Sequence, residues 1–210
     1  METVLDFYAQ PAEEGVVRLA FDERPCQLTS HKVEPLPIQP GQSKRTDSEY
    51  VREGTCNLLL AYDLDQGQRY LETSPTRKKK DFARFWDTLI STQFEQVKRI
   101  DLLVDNLNTH DASSFYEHLD VERADELRRK INFIYTPKKG SWLNVSEIEF
   151  AAIAKQCLSG RRIGSLDELD RQAQAWARQR NEEAVKIQWS FTKQQARQKF
   201  KRQYNQIMKM

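Results

Sequence analysis

Three acidic residues have the types and positions that a metal-dependent site would need: Asp22, Asp105 and Glu147. Carboxylate oxygens are the protein ligands that hard divalent cations such as Mg²⁺ prefer. A carboxylate on the packed side of an element is costly to bury unless something pairs it, and a shared cation is such a partner. Whether the three acids share a cation depends on the elements that carry them.

Two of the acids fall in segments with strand character. In the β-rich run GVVRLAFDERPCQL, alternation places Asp22 on one face with Arg18 and Ala20, while apolar side chains occupy the other face. The segment IDLLVD is apolar on both faces, which is typical of a strand buried between helices, and Asp105 closes it. Two aspartates on neighbouring central strands would lie close together.

The third acid comes from the helix predicted over SWLNVSEIEFAAIAKQCLSG. At about 100° per residue, Glu147 falls on the side of Phe150 and Leu158, whereas Glu149 falls near polar Gln156. We therefore expect Glu147 to point toward the core and Glu149 to project from the opposite face. A structural alternative stays open, because Asn144 and Glu147 also have the spacing of a capping box.

The other elements follow from periodicity and turn residues. TSHKVEPLPIQPGQSKRTDSE predicts a long loop, and TCNLLLAYDLDQGQRYLETS predicts a hairpin with Gly67 in its turn. KKKDFARFWDTLISTQFEQV predicts an amphipathic helix, DASSFYEHLDVERADELRRK a further helix, and INFIYTP a strand. Helices are predicted from there to the C-terminus. This order indicates an α/β fold with a mixed sheet flanked by helices.

Composition bounds the class of protein. The chain has 210 residues, 39% hydrophobic and 30% charged, which predicts one soluble domain with a helical appendage. No run approaches the roughly 18 apolar residues of a membrane span, and METVLDFYAQ lacks the features of a signal peptide, so we expect a cytosolic protein. The three separated cysteines favour reduced thiols over a disulfide framework or a zinc knuckle.

The net charge of +2 conceals an asymmetry. Residues 151–210 carry 13 Lys and Arg against 5 Asp and Glu, so the remaining 150 residues are acidic overall. A basic helical segment beside an acidic core is typical of a phosphate-binding face. A solvated helix surface is the open alternative.

Four stretches, AFDE, LLVDNLNTH, YTPKKGSWLNVSEIEF and IQWSFT, carry a resemblance over nearly the whole chain. In this order they resemble the catalytic domain of bacterial insertion-sequence transposases of the mariner superfamily. Asp22 matches the first acid of that family's DDE triad, and Asp105 matches the second within its Asp-Asn-x-x-x-His context. Glu147 matches the third after a Ser-Trp-Leu-Asn run, with 41 residues between it and Asp105.

The resemblance implies an RNase H-like fold and DNA transposition by phosphodiester cleavage and strand transfer at transposon ends. Asp22, Asp105 and Glu147 would hold two Mg²⁺ (or Mn²⁺) ions about 3.5–4 Å apart, with Asp105 as the bridging ligand. Asn106 and His110 would orient the loop or touch DNA, and Trp142 and Asn144 would support the site. The expected domains are a catalytic core over residues 1–160 and a basic helical segment over 161–210.

DNA is the partner that the resemblance implies, with a dimer forming on it. Members of the family carry an N-terminal helix-turn-helix region for transposon ends, whereas strand character here begins near Val16. A separate helix-turn-helix protein or segment is therefore an expected partner, a membrane is not, and the expected location is the bacterial cytoplasm at the nucleoid. A non-catalytic DNA-binding or assembly remnant that retains the fold stays open as the alternative. The candidate phosphate-binding cations are Arg161, Arg162, Lys193, Arg197, Lys199, Lys201 and Arg202.

Overall fold

The structure, a computed structural model, describes residues 1–36, 40–41 and 47–207. Its strands are β1 (Val16–His31), β2 (Tyr50–Asp63), β3 (Arg69–Ser74), β4 (Arg99–Val104) and β5 (Ile131–Tyr135). Its helices are α1 (Glu2–Ala9), α2 (Lys79–Gln93), α3 (Ser113–His118), α4 (Val121–Lys130), α5 (Ser146–Ile153), α6 (Leu166–Glu182), α7 (Lys193–Lys199) and α8 (Lys201–Ile207). A 3₁₀ turn at Ser141–Leu143 precedes α5, and a π-helical turn at Ala154–Leu158 continues it.

The five strands form one mixed sheet in the order β3-β2-β1-β4-β5. β1 pairs antiparallel with β2 and parallel with β4, in a register that sets Ala20 opposite Leu103. Asp22 lies two residues further along β1, and Asp105 directly follows β4, so both lie where the pairing of β1 with β4 ends. The predicted mixed α/β sheet is confirmed, with one aspartate on β1 and the other just after β4.

Helices cover both faces of the sheet. Leu19 and Phe21 of β1 face α2, α3 and α4 in one core cluster, around the buried Trp86. Ala20 faces the opposite side, where α1 and the start of α7 pack. On the same face of the sheet as Ala20, α5 and α6 cover β2 and β3. Trp176 of α6 belongs to the core cluster formed there. The alternation predicted for β1 is therefore present. The domain boundary at residue 160 stays a prediction, and α6 packs directly on the sheet.

Several local predictions differ from the structure. The N-terminal residues form α1, which the sequence analysis did not predict. The helix predicted after Asp111 is two helices, since Leu119 adopts extended backbone and the Asp120 side chain accepts a hydrogen bond from the Arg123 amide at 2.8 Å to start α4. Of the predicted long loop, residues 37–39 and 42–46 lie outside the described residues, as do 208–210 of the last predicted helix. No helix in the described part of the chain combines the length and apolar character that crossing a bilayer requires.

Candidate active site

The three predicted acids lie near the end of the sheet where the pairing of β1 with β4 stops. Asp22 is nearly buried, the Asp105 side chain is 30% exposed, and Glu147 lies exposed in the first turn of α5. The charges of Asp105 and Glu147 both act on Asp22. The backbone explains the meeting, because β1 and β4 place the aspartates side by side and α5 returns across the same edge.

Asp22 is in an environment that disfavours its ionised form. Burial raises its pKa, a hydrogen bond from the Glu23 amide at 2.8 Å opposes that rise, and the charges of Asp105 and Glu147 add to it, giving a pKa of about 7. Like charges held together in this way are stabilised when a cation joins them. The electrostatics therefore fit a cation-binding site.

Asp105 is held by a buried histidine. His110 is fully buried, its Nδ1 lies 2.7 Å from Asp105 Oδ1, and its Nε2 lies 3.6 Å from Glu23 Oε1. The hydrogen bond to His110 lowers the pKa of Asp105. Burial lowers the pKa of His110, but the hydrogen bond and charge of Asp105 together with Glu23 outweigh it and raise that pKa to about 9. His110 therefore lies buried between two acids that favour its protonated form.

Glu23 was missed by the sequence analysis. Its side chain is 1% exposed, and neither carboxylate oxygen accepts a hydrogen bond from the described residues, so the ion pair with His110 is its main compensation. Alternation along β1 offered a signal, because Glu23 shares the apolar face with Leu19 and Phe21. A carboxylate on such a face requires a buried partner.

Two polar side chains attach the helix of Glu147 to the strand of Asp22. Asn144 is fully buried, and its Nδ2 donates to the Phe21 carbonyl at 2.8 Å while its Oδ1 accepts from the Ser146 amide at 3.2 Å. A second attachment comes from Arg24, whose Nη1 donates to the Phe150 carbonyl at 2.8 Å. The N-cap of α5 is Val145, whose side chain makes no capping hydrogen bond, so the capping box considered for Asn144 and Glu147 is not formed.

The predicted facing of the two glutamates in α5 is wrong. Glu147 points to solvent, whereas Glu149 is fully buried and forms a two-pronged ion pair with Arg69, at 2.8 Å for each oxygen. Arg180 adds a third contact at 3.2 Å. The π-helical turn after Ile153 changes the angle between successive residues of the helix. Gln156 and Leu158 lie in this turn, so their positions do not indicate which face of α5 carries Glu147.

The remaining predicted side chains have varied surroundings. Asn106 donates to the Thr136 carbonyl and so ties the loop after β4 to the end of β5. Trp142 is 48% exposed, with its ring near those of Phe191 and Phe200.

The seven predicted DNA-binding cations do not form one cluster. Arg161 and Arg162 lie beside the distal part of β1, and Arg162 donates to the His31 ring at 2.9 Å. The others lie on α7 and α8, where Lys193 pairs with Asp6, Arg197 pairs with Glu2, and Lys199 lies over the Phe191 ring. Lys201 and Arg202 are exposed and form no ion pair with described residues.

The acids fit a divalent cation whose coordination is completed by substrate. Among the described residues, no three His, Cys, Asp or Glu side chains are gathered tightly enough to enclose a metal ion by themselves. Mg²⁺ is usually bound by one or two carboxylates together with substrate phosphates. In Asp22 and in Asp105, Oδ1 is hydrogen-bonded within the protein. No described residue donates a hydrogen bond to Oδ2 of either residue, so each Oδ2 is available to a cation.

Comparison with known proteins agrees with this geometry. Residues 17–170 match the family described as DDE superfamily endonuclease. The fold is similar to the Mos1 mariner paired end complex with Mn (17% identity, TM-score 0.57, 88% of this chain and 56% of that chain). It is also similar to the Mos1 transposase paired-end complex with left transposon end (17% identity, TM-score 0.53, 88% of this chain and 60% of that chain). A third similar structure is the Mos1 Strand Transfer Complex (16% identity, TM-score 0.53, 85% of this chain and 54% of that chain). The chain thus spans little more than half the length of these proteins. No curated protein sequence matches it.

Proposed function

The chain belongs to the DDE superfamily endonuclease family, and from this premise we propose that it is the catalytic domain of a transposase that cuts DNA at transposon ends and transfers the strands. The observation that carries the proposal is that the charges of Asp105 and Glu147 act on Asp22, where the pairing of β1 with β4 ends in an RNase H-like sheet. The bacterial insertion-sequence type is part of the proposal and rests on the sequence motifs.

Two divalent cations, Mg²⁺ or Mn²⁺, complete the proposed site, with Asp22, Asp105 and Glu147 as their ligands. When bound, such ions activate the attacking oxygen and stabilise the leaving oxygen of a phosphodiester. The similar Mos1 structures described with Mn and with Mg support the choice of cation.

The protein's own part in the reaction is to hold the ligand oxygens. The Glu23 amide fixes Oδ1 of Asp22, and His110 with the Leu107 amide fixes Oδ1 of Asp105, so each Oδ2 stays free of hydrogen bonds from described residues. Glu147 approaches from α5 and stays accessible. Rigid placement of this kind lowers the entropy cost of assembling the substrate complex.

DNA is the proposed substrate, bound mainly through its phosphates, and the proposal includes a dimer on DNA and a helix-turn-helix protein or segment for end recognition. Similarity to paired-end and strand transfer complexes of Mos1 supports DNA binding and paired assembly. The exposed cations of α7 and α8 supply positive charge for phosphates.

Nicking of supercoiled plasmid tests the proposal without knowledge of the terminal repeats. We expect nicking in Mg²⁺ or Mn²⁺, little in Ca²⁺, and none in EDTA or in Asp105→Asn. The matched control is Asp125→Asn, which removes a carboxylate on α4 that pairs with Arg129. DNA binding without nicking under all conditions would instead favour a non-catalytic module.

A further inference from the structure

An aromatic cleft lies next to the candidate active site. It has a volume of about 650 Å³, and its wall includes Trp142, Phe200, Pro137, Lys138 and Lys139. A smaller cleft of about 370 Å³ contains Asp105 and Asn106 and shares Pro137 and both lysines with the larger one. The two clefts therefore adjoin at Pro137, Lys138 and Lys139, which separate Asp105 from Trp142.

Trp142 is unusual among the tryptophans because it is 48% exposed, whereas Trp86 is fully buried and Trp176 is 8% exposed. Its ring is supported by Phe191 and Phe200, with ring centroids 5.8 and 6.2 Å away. Exposing so much apolar surface is unfavourable in water. A half-exposed aromatic ring that packs against other rings can stack with a flat ligand.

The turn before Trp142 is tightly constrained. Lys139 adopts a left-handed backbone conformation with φ of 62°, which is uncommon for a lysine. A Cβ on Gly140 would lie 2.6 Å from a Pro137 side-chain atom, so only glycine fits there. Backbone strain of this kind persists where the surrounding structure maintains it, and it is concentrated at functional sites. The turn holds both lysines at the rim of the cleft.

Two unpaired cations and the volume of the cleft indicate the chemistry of an occupant, since the acid in its wall, Glu2, is paired with Arg197. Lys138 and Lys139 are exposed and form no ion pair with described residues. The volume lies within the range of about 300–1,000 Å³ for small-ligand sites. Cationic groups beside an exposed aromatic face are the combination that proteins use to bind unpaired nucleotides.

We propose that this aromatic cleft binds one unpaired nucleobase of the DNA strand next to the phosphate that the acids act on. The base stacks on Trp142, and Lys138 and Lys139 contact the adjoining phosphates. The inference rests on the proposed function, because a cleft that adjoins Asp105 can hold a base of the substrate only if DNA occupies the site.

The test compares the binding of two DNA duplexes in buffer with EDTA, using chain that carries Asp105→Asn so that no cleavage intervenes. One duplex ends in a single-nucleotide overhang with a base, and the other has an abasic nucleotide at that position. We expect the base to tighten binding about 5- to 100-fold, the range for stacking one base on an aromatic side chain. Trp142→Ala should abolish this preference, and Trp142→Phe should retain part of it.

Tyr116→Ala is the matched control, since Tyr116 is an aromatic residue with 41% exposure on α3. It should leave the preference unchanged. Equal binding of the two duplexes by protein with Trp142 intact would overturn the inference, as would a Trp142→Ala variant that weakens both duplexes equally. Dimerisation that depends on Trp142, without any preference for the base, would also overturn the inference, because the cleft would then bind a second copy of the chain.

These outcomes are separate from failure of the proposed function. A preference for the base in a protein that never nicks plasmid would contradict the proposed nuclease activity and support the cleft as a nucleobase site. Nicking without a preference for the base would support the nuclease activity and contradict the nucleobase site. Binding of neither duplex would reject both.

Discussion

Arg69 and Glu149 form a fully buried ion pair that joins β3 to α5. The guanidinium Nε and Nη2 each lie 2.8 Å from one carboxylate oxygen, and both side chains are 0% exposed. Arg180 of α6 contacts the same carboxylate at 3.2 Å, and the Arg69 guanidinium lies 5.1 Å from the Tyr62 ring centroid. The buried acid of α5 thus belongs to the structural core, while its exposed neighbour Glu147 faces the candidate site.

Glu149→Gln should destabilise the fold, because it leaves Arg69 and Arg180 without their buried counter-charge. Breaking a buried ion pair from one side costs about 3–5 kcal/mol, and urea denaturation would measure the loss. Glu147→Gln is the control on the same helix. We expect it to change the free energy of unfolding by no more than about 0.5 kcal/mol, as for other exposed positions, and to reduce plasmid nicking by orders of magnitude.

The reverse pattern, with Glu149→Gln stable and Glu147→Gln unstable, would mean that the described orientation of α5 is incorrect. Loss of stability in both variants would show that Glu147 also has a structural partner.

Much of the fold was predictable because it depends on local sequence. The two faces of β1 follow from alternation, with Leu19 and Phe21 in one cluster and Ala20 in another. The hairpin follows from Gly67, whose φ is 69° in the structure. The meeting of Asp22 with Asp105 follows from placing two central strands side by side.

What could not be predicted depends on partners far along the chain. Glu149 is buried because Arg69, 80 residues earlier, meets it there, and helical periodicity carries no information about such a partner. Glu23 is buried because His110 lies against it. Helix α1 is stabilised by packing against distant elements, since its buried Phe7 joins Tyr62 and Leu103 in one cluster.

A second prediction concerns the pH dependence of stability, measured by urea denaturation in EDTA. The pKa of Asp22 is about 7 in the folded protein and 3.8 as its ordinary value, so the folded state binds more protons between these limits. The free energy of unfolding therefore falls as pH rises from about 4 to about 7. Asp22→Asn removes that loss and should stabilise the protein by roughly 2–4 kcal/mol at pH 8 and by little at pH 4.

Asp125→Asn, on the surface of α4, is the control for this measurement. An equal effect of Asp22→Asn at pH 4 and pH 8 would contradict the electrostatic account. Destabilisation at pH 8 would show that the ionised carboxylate has a favourable partner in the metal-free fold.

A third prediction assigns Asn144 a positioning role between the acids. Asn144→Ala leaves the Phe21 carbonyl and the Ser146 amide without their hydrogen bonds, which should cost about 1–3 kcal/mol of stability. Because these backbone groups directly precede Asp22 and Glu147, nicking at saturating protein should fall about 10- to 100-fold with DNA affinity unchanged.

Asn181→Ala is the matched control for this role. The Asn181 side chain also makes two backbone hydrogen bonds, both to Arg69, but away from the acids. It should lose stability without losing the nicking rate of the folded protein. Equal losses of nicking rate in the two variants would show that Asn144 contributes only to stability and does not position the acids.

The last prediction separates the exposed cations from those already paired. Lys201 and Arg202 are exposed and form no ion pair with described residues, whereas Lys193 and Arg197 are paired with Asp6 and Glu2. If both exposed cations contact phosphates, changing both to Gln should flatten the log–log salt dependence of duplex DNA binding by about 1.8, since each phosphate contact contributes roughly 0.9. Changing Lys98 and Arg128 to Gln is the matched control, because both are exposed and form no ion pair with described residues. They lie near the starts of β4 and β5, away from the strand ends that carry the acids. The same flattening in both double variants would indicate that only overall charge matters. An unchanged slope in the variant of Lys201 and Arg202 would show that other residues contact the phosphates.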